Sequence, residues 1–145
     1  MYTLPPTASA QLHTVHQWYE AVTRWDVAKL DELFTPDYRH VSLPASVGEA
    51  DKGKKEGLAL VQFMASLFNG KAIDYEWYDV NETDGKIWVH SKMYGKTPKE
   101  LAFNNESIFQ FTLRAEGEGI QIAEIREFVD TKATAEFAQG LAGAA

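Results

Sequence analysis

The residues of this chain best suited to chemistry are Glu127 and His40. A carboxylate set among Phe109, Phe111 and Ile125 is poorly solvated in its charged form, so burial is expected to raise its pKa. Near neutrality such a group works as a general acid or base. A neighbouring imidazole can accept or relay the proton. Asn105 and Ser107 stand on an otherwise apolar strand face and can hydrogen-bond a carbonyl or enolate oxygen. That set suits enolisation, aldol cyclisation or elimination of water. None of these needs a metal or an organic cofactor, so none is expected.

Each residue also has a plain structural reading. Glu127 can pair with a buried Arg or Tyr, His40 can be a surface strand histidine, and Asn105 and Ser107 can satisfy backbone groups at a bulge. Asp130 stands where a helix N-cap would, just before Thr131. His13 and His16 lie three apart on one helix, but no third ligand is near in sequence, so no metal site is expected. His90 shares a strand face with Trp88, Lys92 and Tyr94, which reads as a subunit interface.

The elements that must position these groups follow from hydrophobic spacing. After Leu12, the residues Val15, Trp18, Tyr19, Val22 and Trp25 recur every three or four positions and predict a helix. Asp26 caps a second short helix holding Val27, Leu30, Leu33 and Phe34, which Pro36 ends. Tyr38 to Leu43 alternates as a strand. Pro44 to Lys54 is a polar, mobile connection able to form one rim of a site. Leu58, Val61, Phe63, Met64, Leu67 and Phe68 make a third helix, closed by Asn69-Gly70.

The period then changes to two. Ile73 to Val80, Ile87 to Tyr94, Phe103 to Leu113 and Ile120 to Val129 are consecutive strands, with hairpin turns at residues 83–85 and 116–119. Thr131 to Leu141 is a short final helix. Residues 1–9 read as a loose N-terminal arm, and the Ala-Gly-Ala-Ala end as frayed. The whole chain, 1–145, is one domain. Helices segregated from an antiparallel meander give an α+β fold. Three N-terminal helices in the concave side of a strongly curved sheet make a cone, whose interior is a natural ligand pocket.

Facing can be read in part. Phe103, Asn105, Ser107, Phe109, Phe111 and Leu113 form the more apolar, inner face of their strand. On the last strand Ala123, Ile125, Glu127 and Val129 are expected inside, with Ile122, Glu124, Arg126 and Phe128 outside. On the first strand Tyr38, His40 and Ser42 share one face, and Arg39, Val41 and Leu43 the other. Pattern alone leaves open which of these is inward. Large aromatics on both sheet faces predict a two-fold dimer through the outer face.

Composition removes whole classes of function. The chain has 145 residues, 45% of them hydrophobic, enough for a real core. A net charge of −7 argues against binding nucleic-acid phosphates. With no cysteine there is no disulfide, thiolate metal site or cysteine nucleophile. No apolar run reaches the ~18–20 residues of a membrane span. The N-terminus has no signal-peptide pattern, so a cytoplasmic protein is expected.

Several stretches resemble a known superfamily. WYEAVTRWDVAKLDELFTPDYRHVSLP resembles the opening of NTF2-like proteins, above all the SnoaL-like and ketosteroid-isomerase-like branch, and IAEIREFVDT resembles its last strand. PASVG followed by GK, with NNESIFQF and EFVD, looks most like the small fungal SnoaL-like proteins. The resemblance covers nearly the whole chain and implies the cone fold. Its members include isomerases, polyketide cyclases, dehydratases and non-catalytic carriers, so fold does not settle function. Against the ketosteroid isomerase pattern, the helix tyrosine falls on Trp18, the strand aspartate near Ser42 or Leu43, and the second acid near Phe109. That particular chemistry is therefore not implied. The overlay does turn His40 and Glu127 inward.

The leading expectation is a cofactor-free isomerase, cyclase or dehydratase acting on a hydrophobic, oxygenated small molecule of secondary metabolism. Glu127 and His40 would be catalytic, and Trp18, Tyr38, Ser42, Asn105, Ser107 and Phe109 would bind substrate. The alternatives are a small-molecule carrier using the same pocket, and a protein-interaction module in which side chains fill it.

Overall fold

A computed structural model describes residues 2–143. It contains four helices and one six-stranded sheet of order β2-β1-β6-β5-β4-β3. Helix α1 (Ala10–Thr23) starts where Ser9 Oγ accepts the Leu12 N–H. Its buried face holds Leu12, Val15, Trp18 and Tyr19, as the spacing requires. Asp26 then accepts the Lys29 N–H and caps α2 (Val27–Leu33).

Here the structure corrects the sequence reading. Phe34 is not helical and Pro36 is not the helix stop: α2 runs straight into β1 (Phe34–Leu43). The pairing of β1 shifts register between Phe34 and Arg39. Proline, which has no N–H to give a ladder, is accommodated at such an irregularity.

The segment 44–54 is also more ordered than expected. It holds a 3-10 turn at Ala45–Val47 and a two-residue strand, β2 (Lys52–Gly53), paired antiparallel to β1. Arg39 and Asp51 tie it down from the side. Helix α3 (Lys54–Leu67) follows, closed as predicted at Asn69 and Gly70, both with positive φ. Its apolar residues only partly reach the core, and Leu60 and Phe63 are exposed.

β3 (Asp74–Thr83), β4 (Lys86–Lys96), β5 (Ala102–Glu116) and β6 (Gly119–Phe128) form the antiparallel meander. Asp84-Gly85 makes the first two-residue turn, with Gly85 at φ 78°. The sheet is closed by β1, which pairs parallel to β6, so it is mixed rather than purely antiparallel. The predicted inner face of β5 is the buried one. On β6 the simple alternation fails: Ile122 and Ile125 are both fully buried. The register slips by one residue opposite Thr112 and Leu113, a bulge that carries Ala123 and turns Ile122 inward.

Trp18 sits at the centre of the core, with its ring 5.3 Å from Phe109 and 5.2 Å from Phe111. The arm before α1 lies along the sheet, where the Tyr2 N–H donates to the Trp77 carbonyl. Asp130 Oδ1 accepts the Ala133 N–H and caps α4 (Thr131–Gly143). Met1 and the last two alanines of the expected frayed end lie outside the described residues.

Candidate functional site

The parallel β1–β6 pairing brings distant residues together. His40 lies opposite Ile125, and Ser42 opposite Glu127. His40 and Glu127 are therefore diagonal neighbours on the inner face. His40 Nε2 is 3.1 Å from Glu127 Oε2, and their side chains are 18% and 12% exposed. Tyr38 Oη lies 3.3 Å from His40 Nδ1. From β5, Asn105 Nδ2 donates to Glu127 Oε1 at 2.9 Å. Ser107 Oγ is 2.7 Å from Asn105 Oδ1 and 3.3 Å from Glu127 Oε1. It has one proton, and the shorter contact takes it.

These contacts reverse the expected electrostatics. Burial alone raises the Glu127 pKa, as anticipated. Hydrogen bonding and charge from His40, then the Asn105 bond, outweigh it and hold the carboxyl below its ordinary value. Glu127 is thus an ionised acceptor. Two conclusions follow for its neighbours. Nε2 of His40 must carry the proton it gives to Glu127, so in the neutral imidazole Nδ1 is the basic nitrogen. Tyr38 Oη is then the donor toward Nδ1, and burial, followed by the Glu127 charge, pushes its phenol pKa up, keeping that proton on.

The dyad opens onto a cavity of about 160 Å³. Trp18, Tyr38, His40, Asn105, Phe109 and Glu127 line it, as do Leu60, Val61 and Met64 of α3. An apolar cavity of about 150 Å³ accepts a benzene-sized ring. Two residues expected to bind substrate lie elsewhere. Ser107 is buried and is spent on Asn105, and Ser42 donates to Glu49 at 3.0 Å. Neither lines the cavity. The bonds expected from Asn105 and Ser107 to a ligand oxygen go instead into holding Glu127.

The sequence reading missed Met93 and the α3 residues as cavity lining, and it put the segment holding Lys52 at a rim without singling Lys52 out. Met93 was findable, since it alternates with buried Val89 and Ser91 on β4. Lys52 was not, because a two-residue strand carries no periodic signal. His16 contacts Tyr75 and Trp77, and His90 pairs with Glu106 at 2.8 Å on the outer face. Among the described residues no cluster has the make-up of a metal site.

Comparison with known proteins identifies the scaffold. The SnoaL-like domain profile matches residues 15–136. The chain belongs to the SnoaL-like family. No curated protein matches this SnoaL-like domain closely enough to count. Solved structures do. The pinacolase BvnE from Penicillium brevicompactum superposes with a TM-score of 0.79 at 15% identity, covering 94% of this chain and 99% of its own. AusH from Aspergillus nidulans gives 0.70 at 21% identity, covering 88% of each chain. IdmH from Streptomyces antibioticus, described provisionally as a polyketide cyclase, gives 0.69 at 19% identity, covering 90% of this chain and 99% of its own. At these identities the likeness is one of fold: this SnoaL-like domain is an α+β cone.

Proposed function

We propose that this SnoaL-like domain is an enzyme that performs cofactor-free acid/base chemistry on a hydrophobic, oxygenated small molecule. The carrying observation is the His40–Glu127 pair, hydrogen-bonded at 3.1 Å and opening onto an apolar-walled cavity. Glu127 holds the imidazole in place through the Nε2–H. As substrate enters, the Tyr38 O–H turns from Nδ1 to the substrate carbonyl oxygen, and the freed Nδ1 lone pair takes a proton from a carbon beside that carbonyl. The Tyr38 O–H, next to that nitrogen, meets the enolate oxygen. The imidazolium returns the proton at another carbon, or to a leaving hydroxyl. Isomerisation, cyclisation and dehydration all begin with this step. Trp18 and Phe109 supply ring-stacking walls.

The experiment uses 2-tetralone, an enolisable bicyclic ketone, in D2O. NMR follows exchange of its α-hydrogens with wild type and with His40→Gln. Exchange above the buffer rate, cut by about a hundredfold or more in the variant, is the expected outcome. One observation favours a second reading, a non-catalytic carrier: both Glu127 oxygens already have partners within the protein. Binding of the ketone with exchange at the buffer rate would select the carrier. The open cavity weighs against an interaction module with a filled pocket.

We also propose a homodimer through the outer sheet face, where Tyr78, Trp88, Ile108 and Phe128 are exposed.

A further inference from the structure

Among the described residues lining the cavity, Lys52 is the only lysine or arginine. Its placement has a cause. β2 pairs Lys52 directly with His40. Residues opposed across an antiparallel pair send their side chains to the same face. The ammonium therefore comes onto the cavity face beside the imidazole.

A free lysine at such a rim would extend into water. Lys52 is held back: its side chain is 25% exposed, and Nζ donates to Glu49 at 3.3 Å. The same Glu49 oxygen accepts from Ser42 Oγ at 3.0 Å. Ser42 fixes Glu49, and Glu49 aims Lys52. An ammonium has three N–H donors, and one long contact leaves the others for a ligand.

We propose that Lys52 binds a carboxylate of the ligand at the rim of the cavity, so that the site selects acidic over neutral hydrophobic compounds. The proposal rests on the reading of this cavity as the ligand site. Trp18 and Phe109 then hold the apolar part, while the acid group lies against Lys52. His40 is left to meet the portion between them.

The test compares two isosteric probes, 3-phenylpropanoate and 3-phenylpropanamide, at pH 7.5. Titration is followed by 15N NMR, with the Trp18 and Trp25 indole N–H signals reporting the cavity, since both rings line it. The expected result is that the carboxylate binds about tenfold more tightly than the amide. Lys52→Met should erase that preference, chiefly by weakening the carboxylate, with an unchanged urea midpoint reporting an intact fold. Glu49→Gln, which frees the ammonium from its competing carboxylate, should strengthen carboxylate binding severalfold. Equal binding of both probes in wild type, or an unchanged preference in Lys52→Met, overturns the proposal and leaves the cavity as the site. If neither probe shifts the Trp18 and Trp25 signals, the cavity reading and the proposal fall together.

Discussion

Glu127→Gln separates what the carboxylate does for the fold from what it does for His40. Glu127 accepts firm bonds from His40 Nε2 at 3.1 Å and Asn105 Nδ2 at 2.9 Å. Removing the acceptor altogether, as in Glu127→Ala, strands two largely buried donors. At ~1–3 kcal/mol for each unsatisfied group, the loss is about 2–6 kcal/mol. Glutamine keeps one acceptor oxygen for Asn105, but turns an NH2 toward His40. The imidazole can satisfy that donor only by moving its proton from Nε2 to Nδ1, which then donates to Tyr38 Oη. The fold should lose only about 1 kcal/mol. The basic nitrogen, however, now faces the introduced amide rather than the reacting end, and ketone exchange should fall by a factor of about 10² or more. Urea unfolding measures the two stabilities. Long-range 1H–15N NMR of the neutral imidazole reads the tautomer without any substrate. An unchanged tautomer in Glu127→Gln, or full exchange activity despite a switched one, would refute the assignment of His40 as base and Glu127 as its positioning partner.

The Glu127 carboxyl is held below its ordinary value in the folded chain, so its contribution to stability is present above the unfolded glutamate range and fades as pH falls through the folded value. The urea midpoint of wild type should therefore drop toward that of Glu127→Gln between about pH 5 and pH 3; parallel curves would contradict this. Gly57 lies within α3, and a Cβ there would sit 3.5 Å from the Tyr38 ring, an ordinary contact. Gly57→Ala should then stabilise by about 0.5–1 kcal/mol, whereas a loss in urea unfolding would mean the helix cannot close on β1 as described. Ile108→Glu, at a 48% exposed outer-face position, should convert a dimer to a monomer in sedimentation and leave cavity binding intact. A wild-type monomer would exclude that interface.

The parts of the fold legible in the sequence are those with a local signal. Trp18 and Tyr19 recur with helical spacing, and Asp84-Gly85 names its own hairpin. Where one residue breaks a period, pattern reading fails. The bulge at Ala123 puts Ile122 and Ile125 on one side, although they are an odd number apart. Pro36 reads as a helix stop because proline removes an N–H, but an irregular stretch of strand tolerates that loss equally well. β2 has only two residues, and no pattern can be seen in two.

The sequence brought His40 and Glu127 forward as a candidate pair, but not the charge of the carboxyl. His40 and Glu127 are 87 residues apart and meet only because β1 joins the sheet parallel to β6, which no local pattern encodes. Reading Glu127 against its apolar neighbours alone predicted a raised pKa. The polar groups that reverse this, His40 and Asn105 foremost, come from two other strands and converge on one carboxylate. In the proposed reaction that reversal moves the acid/base role from Glu127 to His40. A neutral glutamic acid would have been the proton donor itself. An ionised, fully hydrogen-bonded one has no free proton and little basicity to offer, so its use is to fix the tautomer of the imidazole. In the proposed reaction the nitrogen that takes the proton is then Nδ1 of His40, and substitutions at His40 should cost more activity than substitutions at Asn105 or Ser107.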